Sequence, residues 1–113
     1  MTARNPLTTA PPYPVEQAMK TLGANLRTAR LRRNLTIQEV AGKIGTGLRA
    51  VADAEKGKAT TGIAIYAALL WVYGLLEDFT QLADPASDEA GLALMHEGAR
   101  ERAHRKDEID NEF

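Results

Sequence analysis

The sequence contains no cysteine and a single serine, and only 5% of its 113 residues are aromatic. Without cysteine, neither disulfides nor thiolate metal sites are available. The longest apolar run, over residues 63–76, is too short to span a bilayer. The N-terminal residues also lack the basic and then apolar pattern of a secretory signal. We therefore expect one small globular domain with tails in the cytoplasm.

Patterns of catalytic residues are missing as well. The stretch AGKIGTG lacks the glycine-lysine-serine/threonine ending with which a phosphate-binding loop holds phosphate and magnesium. Ser87 has no pairing with a base that would indicate a nucleophile. His96 and His104 stand eight residues apart, too far on one helix for an ordinary metal site within one chain. We expect no enzymatic activity, no metal and no cofactor.

Residues 35–57, LTIQEVAGKIGTGLRAVADAEKG, carry the most informative pattern. Thr36 and Glu39 have the spacing of a capping box, which predicts the start of a helix. Gly45 follows where the chain leaves that helix, because glycine enters the left-handed region without steric cost. Apolar residues at three-residue spacing then predict a second helix that ends at Gly57: Leu48, Val51 and Ala54. Two short helices joined by a tight turn can present one helix to the major groove of DNA.

Charge is segregated along the chain, although the formal net charge is only -1. Residues 20–58 hold nine Lys and Arg residues against three acidic ones, a net charge of +6. The remaining residues hold five basic and twelve acidic groups, a net charge of -7. The positive part coincides with the helix pair, which favours a nucleic-acid partner.

The pattern of proline, apolar and charged residues divides the chain into three parts. Four of the five prolines lie within the first 14 residues, and residues 1–13 are predicted to be a flexible arm. Residues 14–84 are predicted to form a domain of five helices that begins with a helix over residues 15–33. Residues 85–113 are predicted to be a helix capped by Ser87, followed by a charged tail.

The helix pair resembles the helix-turn-helix of the lambda-repressor and Cro type, also called the Xre family. The resemblance covers residues 22–83 and rests on these residues: Arg30, Leu35, Thr36, Glu39, Ala41, Gly45, Val51, Glu55 and Gly57. It implies an all-α, five-helix domain that binds double-stranded DNA as a homodimer. It also implies a structural ion pair between Arg30 and Glu55.

The same resemblance implies which residues contact DNA. Leu48, Arg49 and Asp53 take the base-reading positions, where they suit a thymine methyl, guanine and cytosine respectively. A second group is implied to contact the DNA backbone: Arg27, Arg32, Arg33, Thr36, Ile37, Gln38, Lys43, Thr46, Gly47, Lys56 and Lys58. Residues 63–76 are apolar nearly all round, which predicts a dimer interface. Its candidates are Trp71, Tyr73, Leu75, Leu76 and Phe79.

A narrower resemblance begins at Trp71 and runs through LLEDFTQLADP and SDEAGLAL. These residues are similar to HipB-type antitoxin repressors, which bind a HipA-type serine/threonine kinase toxin and repress the operon they share with it. The resemblance implies an autoregulating, nucleoid-associated repressor with a kinase-like partner. Two alternatives stay open. One is a stand-alone Xre-type repressor without a toxin, and the other is a protein-binding module whose Ile37, Leu48 and Asp53 have weakened DNA recognition.

Overall fold

A computed structural model describes the backbone of residues 5–112 and the side chains of residues 5–109. Every regular element in this range is helical, which confirms the predicted all-α class. The α-helices are α1 (Pro6–Thr9), α2 (Tyr13–Arg32), α3 (Ile37–Ile44), α4 (Leu48–Glu55), α5 (Ile63–Val72), α6 (Leu76–Thr80) and α7 (Glu89–Glu112), with a 3-10 helix at Pro85–Ser87. Among the described residues, no helix is both long enough and apolar enough to cross a membrane.

The chain forms two compact units, Met1–Phe79 and Thr80–Phe113. In the first unit, α4 packs against α2, α3 and α5, and α3 also packs against α5. The core side chains come from these four helices and the residue after α5: Leu26, Ala29, Val40, Ala41, Val51, Ala54, Tyr66, Leu69 and Tyr73. Helix α4 is therefore the element that the others surround.

Local chemistry fixes the connection between α3 and α4. The hydroxyl of Thr36 accepts from the Glu39 amide at 3.1 Å, and the Glu39 carboxylate accepts from the Thr36 amide at 3.3 Å. This is the predicted capping box. Gly45 ends α3 with φ +74°, in the left-handed region that favours glycine. Only Thr46 and Gly47 then separate Gly45 from α4. This short turn restricts the angle between α3 and α4.

A close crossing of α2 and α4 depends on two glycines. A Cβ atom on Gly23 would lie 2.7 Å from the backbone carbonyl oxygens of Ala54 and Glu55. Gly57 has φ +69°, and a Cβ atom there would clash with the backbone of Met19 and Lys20. Because both contacts are with backbone atoms, larger side chains would force the helices apart. The sequence predicted Gly57 as a helix end but did not predict this crossing.

Several boundaries differ from those predicted. Within the segment predicted as an arm, Pro6–Thr9 forms one helical turn, and the side chain of Asn5 accepts from the Leu7 amide at 3.0 Å. Residues 1–4 of that segment lie outside the described residues. Helix α2 begins at Tyr13 rather than residue 15, because Pro14 fits the first helical turn.

The second unit is dominated by α7, whose 24 residues continue through the segment predicted as a charged tail. The predicted cap, Ser87, lies instead in the 3-10 helix. The Asp88 carboxylate accepts from the Gly91 amide at 3.0 Å and takes the capping role. The described side chains of α7 are exposed, apart from half-buried Gly91 and Gly98. Hydrophobic periodicity therefore could not predict the length of this helix.

Candidate functional site

The outer faces of α3 and α4 form an open groove of about 600 Å³. Its lining residues come from the first turn of α3, from α4 and from the turn after α4: Ile37, Gln38, Leu48, Arg49, Ala52, Asp53, Lys56 and Lys58. All three predicted base-reading residues line this groove, together with four of the predicted backbone contacts. The groove carries three cationic side chains and one carboxylate, so its net charge is positive.

Arg49 is a highly accessible charged group in this groove. Its side chain is 88% exposed and extends from the first turn of α4. The neighbouring Leu48 is 54% exposed, although it is apolar. A guanidinium can donate two parallel hydrogen bonds, while a leucine offers only apolar contact. The two residues therefore present one polar and one apolar contact side by side.

Asp53 is held between two cations of the groove. Its Oδ1 atom lies 3.2 Å from Nζ of Lys58, and its Oδ2 atom lies 4.0 Å from Nε of Arg49. The side chain of Asp53 is 22% exposed. Its backbone carbonyl also accepts from the amides of Lys56 and Lys58, at 3.2 and 3.1 Å. The carboxylate is consequently partly neutralised, and the backbone of Asp53 is fixed by the turn after α4.

The first turn of α4 has no side-chain cap. Gly47 takes the capping position with extended backbone, but it has no side chain to accept from the first amides of the helix. Unpaired amides at a helix N-terminus carry partial positive charge. Together with Arg49 in the same turn, they make this end of the groove electropositive.

Lys58 is positioned by the turn that follows α4. Gly57 takes the left-handed conformation there, and the Tyr66 hydroxyl donates to the Lys58 carbonyl at 2.9 Å. Burial raises the pKa of this tyrosine, so its hydroxyl keeps the proton that it donates. Helix α5 thereby holds one edge of the groove in place.

The remaining predicted backbone contacts lie elsewhere in the first unit, outside the lining of the groove. They are Arg27 and Arg32 on α2, Thr36 and Lys43 at the two ends of α3, and Thr46 and Gly47 in the turn. Most of these residues are exposed, and Thr46 is half-buried. Their predicted role stays a prediction.

Arg33, a predicted DNA-backbone contact, is exposed and also makes contacts within the chain. Its Nη1 atom donates to the Ala29 carbonyl at 2.9 Å, and its Nη2 atom donates to the Tyr73 carbonyl at 2.8 Å. The guanidinium also lies 5.6 Å from the centre of the Tyr73 ring, a cation–π distance. Arg33 therefore connects the end of α2 to the end of α5, and its predicted contact with the DNA backbone stays a prediction.

The implied ion pair between Arg30 and Glu55 is present behind the groove. Arg30 donates from Nε and Nη2 to the two oxygens of Glu55, at 2.7 and 2.9 Å. A third donor, Nη1, reaches the Leu35 carbonyl at 2.9 Å. Both side chains are buried, and the hydrogen bond to Glu55 raises the pKa of Arg30. This pair fixes the last turn of α4 against α2.

The candidate interface residues separate into two groups. Trp71 is 63% exposed, Leu75 is exposed, and Leu76 and Phe79 are half-buried. Tyr73 is only 3% exposed and lies in the core, so its prediction as an interface residue is wrong. Its hydroxyl is buried without a hydrogen-bond partner among the described residues. The sequence could not separate exposed Trp71 from buried Tyr73, because both lie in the apolar run over residues 63–76.

Two residues that shape the site, Ala52 and Gly23, were not predicted from the sequence. Ala52 lines the groove between Leu48 and Lys56, and the four-residue spacing of these residues on one helix face could have indicated it. Gly23 allows the close crossing behind the groove. An isolated glycine inside a periodic helix is a recognised signal of such packing.

Comparisons of the chain with known protein families, with curated proteins and with solved structures find no match. No group of three or more His, Asp or Glu residues in the described part of the chain could hold a metal ion.

Proposed function

We propose that this protein is a DNA-binding transcriptional repressor of the lambda-repressor and Cro type. The observation that carries the proposal is the groove on the outer faces of α3 and α4. Its lining joins Arg49, Asp53 and Lys58 to the uncapped first turn of α4. The left-handed Gly45 between two eight-residue helices supports the same proposal. In this arrangement α4 is the recognition helix, and its first turn enters the major groove.

The charge distribution supports DNA as the partner. Residues 20–58 carry a formal net charge of +6, while the chain as a whole carries -1. Lysine and arginine residues on α2 and α3 surround the helix pair, where phosphates would flank a recognition helix. Direct base reading would be sparse, since Arg49 is the only one of the three base-reading residues with bidentate donor geometry suited to guanine. Affinity then depends strongly on contacts to phosphates and on dimerisation.

A binding titration tests this function. The full chain is titrated with DNA from upstream of its own gene, at two salt concentrations and with a scrambled competitor. We expect tight and selective binding that weakens steeply with salt, because counterions are released from DNA. Weak binding, or equal affinity for the scrambled sequence, would contradict the proposal.

Dimerisation through the region after α5 is a separate part of the proposal. Trp71 exposes 63% of its surface, which is unusual for an indole in a monomer and typical of an interface. We expect Trp71→Glu to be folded and monomeric by analytical sedimentation, while the unchanged chain is a dimer. A dimeric variant would remove Trp71 from the interface, and a monomeric parent would contradict dimerisation.

The finer proposal is that the repressor is the antitoxin of a HipA-like kinase toxin. Helix α7 supports a protein partner, because its 24 residues bury no described side chain. Co-expression with the product of the neighbouring gene, followed by co-purification, tests this part. A neighbouring gene that encodes no kinase-like protein would favour a stand-alone repressor.

A second candidate function is a protein-binding module with weakened DNA recognition. It is favoured by Ile37 and Leu48, which place apolar surface in the groove, and by the carboxylate of Asp53. The titration separates the two functions, because only a DNA binder loses affinity for the duplex steeply with salt.

A further inference from the structure

Asp53 is the one acidic residue among the groove's lining residues. Its two oxygens face Lys58 at 3.2 Å and Arg49 at 4.0 Å, and these two cations line the same groove. Its backbone carbonyl is fixed by the amides of Lys56 and Lys58. The carboxylate of Asp53 therefore cannot leave the groove without breaking its ion pair with Lys58.

A fixed carboxylate accepts hydrogen bonds and repels other acceptors. In the major groove, guanine presents two acceptors, and thymine presents one acceptor and a methyl group. Only the amino groups of cytosine and adenine are donors. Phosphate oxygens repel a carboxylate as well. A duplex that places no amino group opposite Asp53 would thus meet an unfavourable contact.

We propose that Asp53 is a specificity-determining residue that acts mainly by repulsion. It engages Arg49 and Lys58 and thereby lowers their attraction for phosphates in any sequence. It also disfavours sites without an amino donor at its position. This inference rests on the proposed DNA-binding function and changes the role of Asp53 from attracting one base to rejecting the others.

The test is Asp53→Asn in the full chain, a change that keeps the side-chain shape and removes the charge. We expect affinity for scrambled DNA to rise by about tenfold or more, because a repulsive charge is lost. Affinity for the protein's own site should rise less, so the ratio of the two affinities falls. Each cation that becomes free to contact a phosphate should steepen the plot of log affinity against log salt by about 0.9.

Glu16→Gln is the matched control. It makes the same change in net charge and releases Lys20, which lies 2.9 Å from Glu16 on α2, outside the groove. This variant should leave the ratio of specific to scrambled affinity unchanged. Asp53→Glu restores the charge and should recover most of the selectivity. Lys58→Gln gives an independent measurement: because Asp53 already engages Lys58, this variant should change the salt dependence by less than Asp53→Asn does.

The outcomes distinguish this inference from the proposed function. If the unchanged chain selects its own DNA and Asp53→Asn keeps the same ratio and salt dependence, the inference is overturned and the function stands. The same conclusion follows if Glu16→Gln changes the ratio as much as Asp53→Asn does. If the unchanged chain does not bind DNA, the proposed function fails, and this role of Asp53 fails with it.

Discussion

The two faces of α4 differ in burial, charge and bonding, although the helix has only eight residues. On the inner face, Val51 and Ala54 have no exposed surface, and Glu55 is held in a buried ion pair. On the outer face, Arg49 is almost fully exposed and Asp53 is held by cations at the edge of a groove. The inner face of α4 therefore contributes to folding, and its outer face is available for recognition. Changes on the inner face should therefore alter stability, and changes on the outer face should alter binding.

Breaking the buried ion pair should have the largest effect. Glu55→Gln leaves the Arg30 guanidinium buried without its counter-charge, so we expect the free energy of unfolding to fall by about 3–5 kcal/mol. Urea denaturation followed by circular dichroism measures this change. Glu16→Gln is the control, because its ion pair with Lys20 is exposed and contributes less than about 1 kcal/mol. Equal losses of unfolding free energy in Glu55→Gln and Glu16→Gln would contradict the expectation that the buried ion pair stabilises the fold more than the exposed one.

The next effect is expected behind the inner face, where α2 crosses α4. Gly23→Ala places a methyl group against backbone oxygens of α4, and we expect it to cost about 1–3 kcal/mol of stability. Gly42→Ala on α3 is the matched control, since the space around Gly42 is open. That control should raise stability by about 0.5–1 kcal/mol, because alanine loses less backbone entropy in a helix. Thermal melts that shift in the same direction would contradict the close crossing.

On the outer face, Arg49→Ala should change binding and leave folding intact. Its side chain is exposed, so the melting temperature should stay close to that of the unchanged chain. We expect a loss of about 1–3 kcal/mol in specific binding and relaxed preference at one base position. Arg100→Ala, on α7, serves as the charge-matched control in the same titration. Unchanged specific affinity in Arg49→Ala would show that the assigned recognition helix or its register is wrong.

The smallest effects are expected from the two buried tyrosines. Tyr66→Phe loses the hydrogen bond to the Lys58 carbonyl and should cost about 1 kcal/mol. Tyr73→Phe removes a hydroxyl that has no partner among the described residues, so the stability of this variant should be equal to that of the unchanged chain or higher.

Burial raises the pKa of both tyrosine phenols, which ordinarily lies near 10.0. Stability from the neutral phenols is therefore complete below that pH and falls as pH rises above it. Urea melts at neutral and alkaline pH test both points, and a lower stability of Tyr73→Phe would contradict the first.

Local features of the fold could be predicted because short-range chemistry determines them. The capping box at Thr36 and the left-handed residue Gly45 each depend on a few neighbours in sequence. Contacts between distant residues could not be derived from the residue pattern. Burial of Tyr73 but not Trp71 is one example, because an all-apolar segment does not indicate which side faces the core.

The base-reading positions Leu48, Arg49 and Asp53 were implied by the resemblance of the helix pair, and their role stays a prediction. The structure places all three along one groove. The pairing of Asp53 with Lys58 depends on the turn at Gly57, which the sequence does not specify in three dimensions. The length of helix α7 was underestimated, because charged residues dominate this helix and no apolar face repeats along it.

The central claim is that the outer faces of α3 and α4 contact DNA. Amide chemical-shift mapping by NMR, on the full chain with added DNA from upstream of its own gene, tests this claim most directly. We expect the largest shifts at Gln38, Leu48, Arg49 and Lys58, with little change at core residues such as Leu69. Shifts concentrated around Trp71, or no shifts at a DNA concentration that saturates a specific site, would contradict it.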